Sequence, residues 1–167
     1  LSVDLSEKTL LEQLSGCINA PLDLTNNPYL KKLTLTNNEA NVTSLNLSKN
    51  RELEYLNLTM PGLASLDLTN NRSLTQMEIW GGAFTELNLK QCTLYRDLAL
   101  EELDVVLCNK LKEITFSNGG TYHLKTLNAN GCDELTKVYL TGNTNCATQT
   151  QANGNIGPVG VDPAVDV

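Results

Sequence analysis

The sequence predicts a mostly β solenoid of about 5.5 coils with two parallel sheets, a short N-terminal capping helix and an irregular C-terminal tail. Three observations lead there. A loose hexamer, LxxLxL, begins at Leu30, Val42, Leu53, Leu63, Leu74, Phe84, Leu100, Leu111, Leu124 and Leu135, after a partial copy at Leu22-Asp23-Leu24. Within the copies apolar and polar residues alternate, as in Leu33-Thr34-Leu35 or Leu66-Asp67-Leu68, the period of a strand with one buried face. The steps between copies are 12, 11, 10, 11, 10, 16, 11, 13 and 11 residues, and a unit of that usual length cannot hold a strand plus a helix. Each copy is therefore a strand and a corner, and two copies make one coil.

Residues 1–21 read as a cap over the first coil. Ser6 to Leu14 reads as a short helix, with Ser6 as N-cap, Leu10, Leu11 and Leu14 on one face, and Gly16 at its stop. Residues 22–143 form the solenoid. Alternate strands stack into sheet A, at Leu22, Leu45, Leu66, Leu87, Ile114 and Val138, and sheet B, at Leu33, Leu56, Met77, Leu103 and Leu127. Their leucine ladders face each other between the two walls.

Three residues after the last apolar residue of a strand stand Asn27, Asn38, Asn50, Asn71 and Asn143. A buried Asn there satisfies backbone groups that the corner leaves unpaired. Pro61, Gly82 and Gly119 interrupt this series, and Cys92, Cys108 and Cys132 replace Asn in three units. Those three thiols read as small core fillers rather than disulfide or metal residues. A bridge between Cys108 and Cys132, in neighbouring coils of sheet B, is the second choice because parallel side chains rarely meet the required torsion. Cys17 and Cys146 fall at opposite ends of the stack.

The repeat is interrupted at Gly81-Gly82, at an insertion around Tyr95-Arg96-Asp97-Leu98, and at a smaller bulge around Gly119-Gly120-Thr121-Tyr122-His123. Residues 144–167 carry no repeat and read as an extended tail that either folds back over the last coil or is held by a partner, with Ile156, Val159 and Val161 as the residues a partner would hold.

At 167 residues and 41% hydrophobic content the chain makes one domain with a continuous core. A formal charge of −7 and no basic stripe argue against nucleic acid and against an anionic membrane surface. No apolar run approaches the roughly 20 residues of a spanning helix. The only histidine, His123, has no triad partners in sight and reads as a solvated loop residue. No phosphate loop, metal-ligand spacing or dinucleotide fingerprint is present, so the expectation is a protein with no cofactor, no metal and no catalytic residues. The N-x-Ser/Thr triplets at Asn41, Asn46, Asn57 and Asn71 follow from the repeat itself.

Segments such as LKKLTLTNN and LASLDLTNN resemble a bacterial leucine-rich repeat protein of the short, two-strand class of about 21 residues. The likeness is to internalin-like and Bacteroidota cell-surface repeat proteins, and it covers Leu22 to Asn143. It implies an exported recognition module at the cell surface or outside the cell, lipid-anchored through residues outside this segment. A surface lipoprotein or an accessory subunit of an outer-membrane assembly, binding a protein partner, fits that family.

The outward positions separate the two faces. Sheet A displays small polar residues such as Ser44, Asn46 and Ser65. Sheet B displays Tyr55, Asn57, Gln76, Glu78, Trp80, Glu102 and Asp104, an aromatic and acidic set that is the candidate binding face. Trp80 either anchors a ligand or folds over the gap left by Gly81-Gly82. A rival reading makes Tyr55 and Trp80 stacking platforms for a carbohydrate, with Asp104, Glu78 and Asn57 as hydroxyl partners. For the ladders themselves, replacing one interior Leu by Ala should cost about 2–5 kcal/mol in chemical denaturation, because a stacked ladder cannot collapse around the hole.

Overall fold

The computed structural model describes residues 3–89, 100–116, 124–139 and 148–150. The described residues form twelve strands: β1 (Gln13–Cys17), β2 (Lys32–Thr36), β3 (Ser44–Leu45), β4 (Tyr55–Thr59), β5 (Ser65–Leu66), β6 (Gln76–Trp80), β7 (Glu86–Leu89), β8 (Glu102–Val106), β9 (Glu113–Phe116), β10 (Thr126–Asn128), β11 (Lys137–Tyr139) and β12 (Thr148–Thr150). All pair in parallel, and the chain winds them into a β-solenoid of about five turns. One wall is a seven-stranded sheet in the order β1-β2-β4-β6-β8-β10-β12. Its register stacks Leu33, Leu56, Met77, Leu103 and Leu127 as consecutive neighbours, as the period requires.

The opposite wall is not the single sheet A that the period suggests. It comprises a two-stranded sheet, β3-β5, and a three-stranded sheet, β7-β9-β11, and Leu22 lies in no strand. The break falls between Leu66 and Leu87. Ala64 N–H donates to Thr43 O, but the next bond up the stack, Ala83 N–H to Leu63 O, is out of step with it. The corner at Gly81-Gly82 separates these two coils and lets the backbone slip. Phe84 accounts for Gly82: a Cβ there would run into the Phe84 ring, which is itself 2% exposed. Between the walls lies one apolar cluster, from Leu24 to Val138, in which most leucines are fully buried.

The N-terminal helix is absent, and a further coil stands in its place. Val3-Asp4-Leu5-Ser6-Glu7-Lys8 and Leu11 occupy the positions of Leu22-Asp23-Leu24-Thr25-Asn26-Asn27 and Leu30 one coil later. The backbone bonds repeat accordingly. Lys8 N–H donates to Leu5 O at 3.0 Å and Leu11 N–H to Lys8 O at 3.0 Å; Asn27 does so to Leu24 at 3.1 Å and Leu30 to Asn27 at 3.2 Å. Even the Asx turn recurs, with Asp4 and Asp23 each accepting from the backbone two residues on at 2.9 Å. The spacing of Leu10, Leu11 and Leu14 suits a helix face, but an isolated nine-residue helix is marginal in water. The chain instead pairs β1 with β2 over five residues and packs Leu5, Leu11 and Leu14 on the core. Leu10 is left 77% exposed. At the other end β12 extends the seven-stranded sheet into the segment read as tail.

Along the broken wall the corner asparagines form a ladder. Asn50 Nδ2 donates to Leu24 O at 3.1 Å and Asn27 O at 2.8 Å, and Asn71 Nδ2 donates to Leu47 O at 3.1 Å and Asn50 O at 2.8 Å. Asn27 continues it downward to Leu5 O and Lys8 O at 3.1 and 2.8 Å. All three side chains are fully buried. On the other edge the expected Asn38 is exposed, and Asn37 turns inward instead. Its N–H meets Thr59 O at 2.8 Å and its Nδ2 meets Ile18 O at 2.8 Å and Asn41 Oδ1 at 2.9 Å.

That corner has two forms. After β2 and β4 the first residue beyond the strand, Asn37 or Met60, is buried. After β6, β8 and β10 a residue of positive φ intervenes (Gly81, Leu107 and Gly131), and Gly82, Cys108 and Cys132 turn inward instead. Sequence spacing treats these forms alike; backbone conformation separates them. Asn50→Ala, which strands two buried carbonyls, should lose roughly 2–4 kcal/mol in urea denaturation. Asn37→Ala should destabilise as well, whereas Asn38→Ala should leave the midpoint unchanged.

Candidate binding face

All seven residues singled out on sheet B lie on the outer surface of the seven-stranded sheet. The parallel register sorts them into three rows. Lys32, Tyr55, Gln76, Glu102 and Thr126 form the first; Thr34, Asn57, Glu78, Asp104 and Asn128 form the second; Thr36, Thr59, Trp80 and Val106 form the third. The strands hold these positions because Leu, Met, Ile and Val alternate with them on the inner face.

Side chains from successive coils interlock across the rows. Tyr55 OH donates to Glu78 Oε1 at 2.9 Å. Asn57 Nδ2 donates to Glu78 Oε2 at 2.8 Å and lies 3.1 Å from Tyr55 OH. Both oxygens of Glu78 are thus engaged, and its carboxylate is held still on the face. Gln76 Nε2 donates to Glu102 Oε2 at 2.6 Å one coil further on. The Asn57 amide favours the ionised Tyr55 phenol, but burial and the Glu78 carboxylate outweigh it and raise the phenol above its usual range. Burial, then the negative charges of Glu78 and Glu102, hold the Asp104 carboxyl above its ordinary value against the opposite pull of the Asn128 side chain.

Trp80 is 41% exposed at the border of the face. A Cβ on Gly82 would meet the Phe84 ring. The residue that spacing did not single out is Leu107. It stands in the corner slot that Gly81 and Gly131 occupy in the coils on either side, has φ +56°, and is 54% exposed. The signal was present: aligning the coils on their corners places one leucine between two glycines.

Cys108 and Cys132 are buried and unbridged in adjacent coils, as core thiols. The Cys132 thiol donates to Val105 O at 3.0 Å, and Cys108 lies 3.6 Å from Val106 O. The Cys132 sulfur beside it, and then burial, push the Cys108 thiol far above the ordinary range. Cys17 is exposed on β1. Among the described residues no three His, Cys, Asp or Glu side chains converge as a metal set. Cys92, Tyr95 to Leu98, Gly119, His123, Asn143, Cys146, Ile156, Val159 and Val161 lie outside the described residues.

The raised Asp104 carboxyl has a definite sign for stability. An acid whose folded pKa lies above its unfolded one destabilises the fold while ionised, and that penalty disappears as pH falls through the folded value. Asp104→Asn should therefore raise the melting temperature at pH 8, and the gain should shrink toward zero in melts at progressively lower pH. No protein-family model, curated protein or solved structure matches the chain.

Proposed function

We propose that the chain is a non-enzymatic recognition module that binds a protein partner on the outer face of its seven-stranded sheet. The observation that carries this reading is the Tyr55–Asn57–Glu78 network beside an exposed Trp80. A hydrogen-bonded polar surface next to a large aromatic side chain is a preorganised interface, because little side-chain freedom remains to be lost on binding. The leucine-rich repeat resemblance supports the same role. On it rests the proposal of a surface lipoprotein or an accessory subunit of an outer-membrane assembly.

A carbohydrate is the competing ligand, and the geometry counts against its simplest form. Tyr55 and Trp80 stand in the first and third rows, four residues apart along the strand direction, or about 13 Å. One sugar ring cannot stack on both. Tyr55 is also half-buried, with its hydroxyl committed to Glu78.

Electrophoresis through mannan and levan gels separates the readings. Unretarded migration, with a protein that co-purifies with wild type and is lost from Trp80→Ala, supports the proposal. The expected loss is about 2 kcal/mol or more of binding, at an unchanged melting temperature. Retardation that vanishes in Trp80→Ala would overturn it in favour of the sugar.

A further inference from the structure

Leu107 is the clearest departure from local preference in the described chain. A branched side chain at φ +56° pays a steric penalty of about 1–2 kcal/mol that glycine avoids. The flanking coils use glycine at this slot, at φ +74° for Gly81 and +71° for Gly131. Here the chain keeps leucine and leaves it 54% exposed, so burial does not repay the strain. The next coil makes room for it: a Cβ on Gly131 would come within 2.6 Å of Leu107 Cδ2. Strain of this kind persists where the surrounding structure over-determines it, and it clusters at functional sites.

The surroundings indicate what it is needed for. Trp80 pairs in register with Val106, the residue before Leu107, so the exposed indole and the exposed leucine occupy neighbouring coils at one border of the face. Val106 between them points outward yet is only 6% exposed. Two residues back along the same strands stand Glu78 and Asp104, with Glu102 beyond. The outward positions of β4, β6, β8 and β10 carry these three carboxylates and no lysine or arginine. An apolar patch beside the carboxylates of Glu78, Asp104 and Glu102 complements one kind of segment.

We propose that Trp80 and Leu107 form a docking patch for an extended protein segment carrying one large apolar side chain flanked by lysine or arginine. The apolar side chain rests against Trp80 and Leu107, and the basic residues reach Glu78 and Asp104. This rests on the protein-binding reading of the face and names the chemistry of its partner.

Twelve-residue peptides test it directly. One set carries a central Leu or Trp flanked by lysines, a second has Ala at the centre, and a third has glutamate flanks. The full chain should bind the first set at least about tenfold more tightly than the others by fluorescence anisotropy, and more weakly as salt is raised. Leu107→Gly and Leu107→Asn both suit a positive φ, so both should fold with an undiminished melting temperature and bind the first set about tenfold more weakly. If both variants bind like wild type while Glu78→Gln loses affinity, the patch is refuted and the protein-binding face survives. Equal affinity for Leu-centred and Ala-centred peptides also refutes the patch. If no peptide set binds and the chain is retarded in mannan or levan gels, both readings fall.

Discussion

The coils that carry Asn27, Asn50 and Asn71 reverse direction at the edge of an apolar core, where backbone carbonyls have no strand to receive them. A carbonyl buried without a donor is costly, and water cannot reach these corners. The corner asparagines meet the need from the next coil up, each amide nitrogen donating to two carbonyls of the coil beneath. The bonds orient the amide, since turning it over would face oxygen against oxygen. The Oδ1 atoms of Asn27, Asn37, Asn50 and Asn71 are buried without a partner among the described residues, so the donors define the arrangement. Coils spaced by this ladder and by parallel strand pairing bring their leucines into contact at a fixed separation. The remaining packing follows from that spacing.

The outer face is a product of the same spacing. Tyr55 and Glu78 are 23 residues apart, Asn57 and Glu78 are 21 apart, and Gln76 and Glu102 are 26 apart, yet each pair is hydrogen-bonded. Coils of unequal length still present their strands in register. The wall opposite has shorter strands and tolerates a slip at Gly81-Gly82, whereas the seven-stranded wall runs unbroken past it. A surface whose side chains must meet across coils belongs on the wall that keeps its register.

Corners are where the chain departs from its own rule. Met60 and Asn37 turn inward directly after the strand, while Gly81, Leu107 and Gly131 insert a left-handed residue first. The second form shifts the buried slot by one residue and places Cys108 and Cys132 inside. Small buried side chains suffice there because the left-handed residue redirects the backbone. Among the described residues only Leu107 combines that conformation with a large exposed side chain.

The sequence by itself determined the period, the inward leucines, the membership of the seven-stranded wall from Leu33 to Leu127, and the outward identity of Tyr55, Asn57, Gln76, Glu78, Trp80, Glu102 and Asp104. Alternation of two is a property of the extended chain and needs no knowledge of neighbours. Tertiary structure decided what depends on neighbouring coils. Ser6 to Leu14 satisfies a helical pattern locally and instead becomes part of a diverged coil, its last residues pairing with β2. Asn37 rather than Asn38 turns inward because Ile18 and Thr59 place their carbonyls to meet it. The Glu78 network and the corner conformation of Leu107 depend on which residues of adjacent coils fall side by side. Local periodicity carries no record of that register; the hydrogen bonds between coils create it.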